Sequence, residues 1–139
     1  MDRTAYTRDK LVEALRAHGI NPTHQRIEIA YALFSRQEHL SADQVMGIVN
    51  ERHSETSKAT VYNTLNLFVE KGLIHEVIVD PSRVFYDPNT DAHYHLYDVQ
   101  SGKLTDISAA DVRISGLPEL PQGMVTEGMD VIIRIRPAR

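Results

Sequence analysis

His93-Tyr94-His95 is the stretch of this 139-residue chain whose residue types and spacing most directly suggest chemistry. Side chains alternate along an extended strand, so both imidazoles would lie on one face and could share an ion. Asp87 precedes them, Asp106 follows on the next extended run, and His39 lies far upstream in a loop. Imidazole and carboxylate donors without sulfur suit Fe(II), Mn(II) or Zn(II). The chain has no cysteine, which excludes disulfides, thiolate zinc sites and thiol catalysis. Spacing alone leaves a second reading open, in which both histidines decorate an exposed strand and Asp87 is a turn former before Pro88. His18 and His24 beside turns, His53 in a polar loop and His75 in a strand read as surface residues.

A second set of residues points to a different chemistry. Ser57, Lys58, Thr60, Tyr62 and Asn63 open a helix over 58–71, where small and polar side chains could reach base edges in a major groove. Asn63 has the geometry to pair with adenine and Lys58 to reach guanine or phosphate. Arg26 and Arg83 suit phosphate contacts that position without specifying sequence. A capped amphipathic helix also occurs in domains that bind only protein, and pattern alone does not separate these.

The elements that would hold these residues follow from periodicity and capping. A helix over 7–18 has Leu11, Val12 and Leu15 on one face and ends at Gly19. Thr23 caps a second helix whose apolar stripe is Ile27, Ala30, Tyr31 and Phe34. Ser41-Ala42-Asp43-Gln44 is a capping box for a third, with Leu40 stapled to Val45. Ser57 caps the fourth, which turns Val61, Leu65 and Phe68 inward and closes at Gly72. The period then changes to strand-like: 73–79 and 84–86 form a hairpin around Asp80-Pro81-Ser82-Arg83. Further strands are expected at 93–99, 103–107 and 129–136, with loop over 115–123 and no clear long helix over 107–128. Helices followed by a hairpin give the order of a winged helix-turn-helix. The fold class expected is therefore α+β, with an N-terminal winged helix (1–86), a linker (87–91) and a small α/β domain (92–139).

Apolar residues make up 42% of the chain, enough for a core, although domains this small gain from dimerisation. No apolar run is long enough to span a bilayer and residues 1–4 do not begin a secretory signal, so a cytoplasmic protein without a membrane partner is expected. The net charge of −4 argues mildly against nucleic acid. It is unevenly spread: residues 1–79 carry nine Lys/Arg against ten Asp/Glu, and 80–139 carry six against nine. A nearly neutral first half can still bind DNA if its cations share a face.

Several motifs in order resemble the ferric uptake regulator family. They are Gly19-Ile20-Asn21-Pro22-Thr23-His24-Gln25-Arg26, Glu38-His39-Leu40-Ser41-Ala42-Asp43, Ala59-Thr60-Val61-Tyr62-Asn63-Thr64-Leu65, Val84-Phe85-Tyr86-Asp87, His93-Tyr94-His95 and Leu104-Thr105-Asp106-Ile107. The resemblance covers nearly the whole chain. It implies a homodimeric transcriptional regulator, mostly a repressor, that binds double-stranded operator DNA and is not an enzyme. It implies a regulatory Fe(II) or Mn(II), with Zn(II) as an in vitro substitute, held by His39, Asp87, His93, His95 and Asp106 at the linker. Tyr62 matches the family's base-contacting tyrosine.

The departures are equally specific. Asp98 and Ser101 stand where many members carry their first Cys-x-x-Cys pair, so the structural four-cysteine zinc is not expected. Asn21 stands where some members carry a minor-groove lysine, and Ala92 and Tyr94 replace accessory-site ligands. Asp106 with three histidines resembles the peroxide-sensing regulators, in which Fe(II) catalyses oxidation of a ligand histidine. Asn63 and the run Met129-Asp130-Val131-Ile132-Ile133-Arg134-Ile135-Arg136 look more like the iron response regulators, which respond to haem, although their cysteine-containing haem motif is absent. The sequence leans to that branch and leaves peroxide sensing open. Three rivals stand beside this reading: a non-haem metal enzyme, a metal-independent winged-helix regulator and a protein-binding winged helix.

Overall fold

A computed structural model describes residues 6–36, 39–52 and 56–139. His53, Glu38 and the opening residues 1–4 lie outside the described residues. Four helices come first: α1 (Arg8–Ala17), α2 (His24–Phe34), α3 (Ala42–Arg52) and α4 (Lys58–Glu70). Each starts at a side-chain cap. Thr7, Thr23 and Ser57 accept the amide N–H of Lys10, Arg26 and Thr60, respectively. Ser41 and Gln44 satisfy each other's amides at 3.2 and 2.8 Å, a reciprocal capping box. A cap of this kind contributes about 1 kcal/mol.

The chain divides into two compact units, Met1–Thr90 and Asp91–Arg139. The first unit holds the main core. Leu11 and Leu15 of α1, Val45 of α3, and Val61, Leu65 and Phe68 of α4 are fully buried there. The expected stripe of α2 differs from the one observed. Ile29, Ala30 and Leu33 are its fully buried residues, whereas Ile27 and Tyr31 are half-buried. Because α2 packs against α1, α3 and α4 together, it buries most of its circumference, and a single amphipathic stripe no longer describes it. Glu28 is buried with it and is held by Arg8, whose Nε and Nη2 donate to the two carboxylate oxygens at 2.7 and 3.1 Å. That bond raises the already high pKa of Arg8, whose guanidinium also lies 4.1 Å from the Tyr31 ring centroid.

Strands β1 (His75–Asp80) and β2 (Arg83–Asp87) form the antiparallel wing directly after α4. Its tip is tied by Asp80, which accepts the Ser82 hydroxyl and amide N–H at 2.8 Å each; these bonds hold the carboxyl below its ordinary range.

The second unit is a three-stranded sheet in the order β4 (Leu104–Ser108), β3 (His93–Asp98), β5 (Ile132–Ile135). β3 and β4 are antiparallel, while β5 runs parallel to β3 and is shorter than the 129–136 expected. Between β4 and β5 the only regular element is a 3-10 turn at Ala109–Asp111. Among the described residues no helix is long and apolar enough to cross a membrane.

Candidate metal centre and DNA-reading face

One pair of candidate ligands is built inside the first unit. Leu40 and Tyr86 form an isolated antiparallel bridge, in which the Tyr86 N–H donates to the Leu40 carbonyl at 2.8 Å. His39 and Asp87 flank that bridge and are thereby brought side by side, with Nε2 and Oδ2 2.9 Å apart. The other carboxylate oxygen of Asp87 accepts the Asn89 N–H at 2.9 Å. Asp87 therefore caps the turn after the wing and also faces a histidine, so the two readings of it from sequence are compatible. Its side chain is fully buried and that of His39 nearly so. A carboxylate in that setting needs a cationic or hydrogen-bonding partner, because desolvating an uncompensated charge costs several kcal/mol. Tyr86 beside it is buried too, which pushes its phenol above the usual range.

The second unit builds the other set. His93 and His95 share one face of β3, with ring centroids 4.6 Å apart. The β3–β4 register places His95 opposite Asp106. One oxygen of Asp106 lies 3.4 Å from Nε2 of both histidines. His93 Nδ1 sits 2.6 Å from the Asp91 carbonyl, an acceptor only, so Nδ1 donates there and Nε2 is the nitrogen turned toward Asp106. The backbone thereby orients the ring toward the candidate site. Each set supplies imidazole nitrogen and carboxylate oxygen with no sulfur, the donor chemistry of Fe(II), Mn(II) and Zn(II) sites.

The candidate DNA contacts gather on the first unit. Lys58, Tyr62 and Asn63 are exposed on α4, opposite the buried Val61, Leu65 and Phe68. Lys58 Nζ lies 3.6 Å from Asp43 and 5.8 Å from the Tyr62 ring centroid. Ser57 caps the helix and bonds the Thr60 hydroxyl at 2.9 Å. Arg26 donates to the Asn21 carbonyl at 3.0 Å, and Arg83 stands 4.0 Å from Asp80 at the wing tip. An open groove of about 460 Å³ runs between the N-terminal ends of α2 and α4, lined by His24, Gln25, Arg26, Thr60 and Asn63 among others. His24 and Gln25 were not among the expected contacts. The signal for them was Thr23, whose cap turns the first residues of α2 toward the same groove.

The family model for the ferric uptake regulator family matches residues 17–120. The chain belongs to the ferric uptake regulator family. Among its relatives is the peroxide-responsive repressor PerR of Staphylococcus aureus, 34% identical over 98 residues, which are 70% of this chain and 66%, just under two thirds, of that protein. The ferric uptake regulator of Pseudomonas aeruginosa, solved with manganese, shares the fold with a TM-score of 0.70 and 24% identity, covering 91% of this chain and 97% of that one. The peroxide stress regulator of Campylobacter jejuni does so with a TM-score of 0.61 and 20% identity, covering 96% and 98%.

This ferric uptake regulator chain makes a turn at Asp98–Gly102. Hydrogen bonds close it. Asp98 Oδ1 accepts the N–H of Ser101 at 3.2 Å and of Gln100 at 2.9 Å, and its carbonyl accepts the N–H of Gly102 at 2.8 Å. The Ser101 and Gln100 amides hold the Asp98 carboxyl below the ordinary carboxylate range. Its stabilising effect is thus present above the unfolded-state pKa and fades as pH falls through the depressed folded value. Urea midpoints of the parent and Asp98→Ala should differ at neutral pH and converge at strongly acid pH. A gap that persists unchanged in acid would show that the carboxylate is not what holds the turn.

Proposed function

We propose that this chain is a homodimeric, metal-responsive repressor that binds double-stranded operator DNA from the cytoplasm. In this reading His39, Asp87, His93, His95 and Asp106 hold a single Fe(II) or Mn(II). The supporting observation is that each unit carries its own preformed ligand set: His39 with Asp87 in the winged helix, and His93, His95 and Asp106 on the sheet. A divalent cation held by these residues would supply positive charge that offsets the two carboxylates. The chain's own residues do the rest. The Leu40–Tyr86 bridge makes His39 and Asp87 part of the wing, so anything that fixes them fixes the orientation of α4. Tyr62 and Asn63 then meet base edges, with Lys58, Arg26 and Arg83 on phosphates. In a two-fold dimer both copies of α4 must reach major grooves about 34 Å apart, which makes operator affinity sensitive to that orientation. A cation that binds the competent orientation more tightly shifts the population toward it.

His39→Ala tests this reading. The variant should remain a folded dimer and lose the Mn(II)-dependent part of its operator affinity in a fluorescence anisotropy titration. Undiminished Mn(II)-dependent binding would remove the linking role from His39.

A second reading has its own support in the similarity to a peroxide-responsive repressor. In it, His39 or His93 of the Fe(II)-loaded protein gains one oxygen atom from peroxide, and operator DNA is released. Peptide mass spectrometry after Fe(II) and peroxide decides between them, since an unmodified His39 and His93 would leave metal sensing alone. A Soret titration with haem tests the iron response reading separately.

A further inference from the structure

Asn50 is a polar side chain that neither the metal centre nor the base-facing surface uses. It lies in the last turn of α3, next to the buried Val49. Its Nδ2 donates to the Thr56 carbonyl at 3.2 Å. Its Oδ1 is buried and has no hydrogen-bond partner among the described residues. A buried acceptor without a partner opposes folding, so stability alone gives little reason for an amide here. The donor is what this position uses.

The acceptor shows what the donor is for. Ser57 is the N-cap of α4, and its carbonyl takes the first intrahelical bond, from the Val61 N–H at 3.1 Å. The Thr56 carbonyl lies one residue before that ladder, and Thr56 is buried. A buried carbonyl needs a partner, and Asn50 supplies it. The bond therefore joins the end of α3 to the residue that leads into α4. Core packing does not fix this point, because Ser57, Lys58 and Ala59 are exposed and the buried face of α4 begins at Val61. The Lys58–Asp43 ion pair also spans the two helices, but both its side chains are exposed and Lys58 is assigned to phosphate above.

The reading residues are close enough to feel the angle set there. At 1.5 Å per residue, Asn63 lies roughly 9 Å from Ser57 along the helix axis, so a tilt of about 10° displaces one relative to the other by roughly 1.5 Å. A hydrogen bond to a base edge keeps its length only within about 0.5 Å. We propose that Asn50 is a positioning residue for DNA reading, whose amide holds the entry of α4 at the angle from which Tyr62 and Asn63 meet base edges. This rests on the DNA-binding function above and adds to it a residue that acts through the helix.

Two variants of the full chain, loaded with Mn(II), test it. Asn50→Asp is isosteric and sets an acceptor against the Thr56 carbonyl; Asn50→Ala removes the donor without adding charge and decides the matter if Asn50→Asp does not fold. The probe is the duplex that the parent selects from a randomised pool, compared with the same duplex after its selected bases are scrambled. Well below its melting point, Asn50→Ala should bind the selected duplex at least tenfold more weakly. Its affinity for the scrambled duplex, which rests on phosphate contacts, should change less than about twofold. Val49→Ala is the control for stability: it truncates a buried neighbour on the same turn and should lower Tm while leaving the ratio of the two affinities as in the parent. If Asn50→Ala keeps the parent's ratio, or if Val49→Ala lowers the ratio as much, Asn50 only packs and the proposal fails while DNA reading stands. A parent that selects no duplex overturns the DNA-binding function and this role with it.

Discussion

Asp87→Asn is expected to cost about 100-fold or more in Mn(II) affinity without unfolding the protein. The carboxylate is fully buried, faces His39 Nε2 at 2.9 Å and accepts the Asn89 N–H. Asparagine keeps an oxygen for Asn89 and loses the charge. The metal-free variant should still fold, because asparagine keeps hydrogen-bonding groups toward both Asn89 and His39. The metal-induced rise in Tm reads the affinity. At a Mn(II) concentration of about 100 times the parent dissociation constant, the parent gains about 2.7 kcal/mol, whereas a variant binding 100-fold more weakly gains only about 0.4 kcal/mol. Asp87→Ala separates the two roles of the residue. It removes the acceptor as well, so the turn at Asn89 loses its bond and the metal-free protein should be about 1–3 kcal/mol less stable. Equal Mn(II)-induced shifts in Asp87→Asn and the parent would mean that Asp87 serves the turn alone.

Much of this arrangement was legible in the sequence where the signals are local. The Ser41–Gln44 box and the Ser57 cap are set by residues three apart, and both helices start as expected. His93 and His95 share a face because strands have a period of two. Asp106 follows from the same logic one hairpin later. What was not legible is non-local. Nothing near His39 announces that the Leu40 backbone will pair with Tyr86, yet that bridge is what makes His39 and Asp87 a pair. The parallel alignment of β5 beside β3 is likewise a long-range choice, made across an arm whose own sequence carries only turn signals. α2 failed for another reason: a helix surrounded by three others has no solvent side sharp enough to reveal its core face. The family motifs supplied the missing long-range order, since they name residues together that no periodicity relates.

Phe68→Ala separates the two faces of α4 and carries the largest expected cost in stability. Phe68 is the largest of the fully buried side chains and lies on the face of α4 that also buries Val61 and Leu65. Truncation loses its transfer free energy and leaves a cavity among α1–α4, about 3–5 kcal/mol in all. That is a large fraction of the roughly 5–15 kcal/mol that holds a domain of this kind together. At about 4–8 °C per kcal/mol the melting point should fall by roughly 15 °C or more. Operator binding by the fraction still folded should keep its sequence preference, because no base-facing atom has changed. Asn63→Ala is the mirror experiment. Its side chain is exposed, so Tm should hardly move, while discrimination at one adenine should fall by about 1–3 kcal/mol. The pair of outcomes matters more than either alone. A helix that merely packs would lose stability through Phe68 and lose nothing through Asn63. If Asn63→Ala binds matched and mismatched operators as the parent does, α4 is a structural helix, and the reading residues lie instead among His24, Gln25 and Arg26 across the groove.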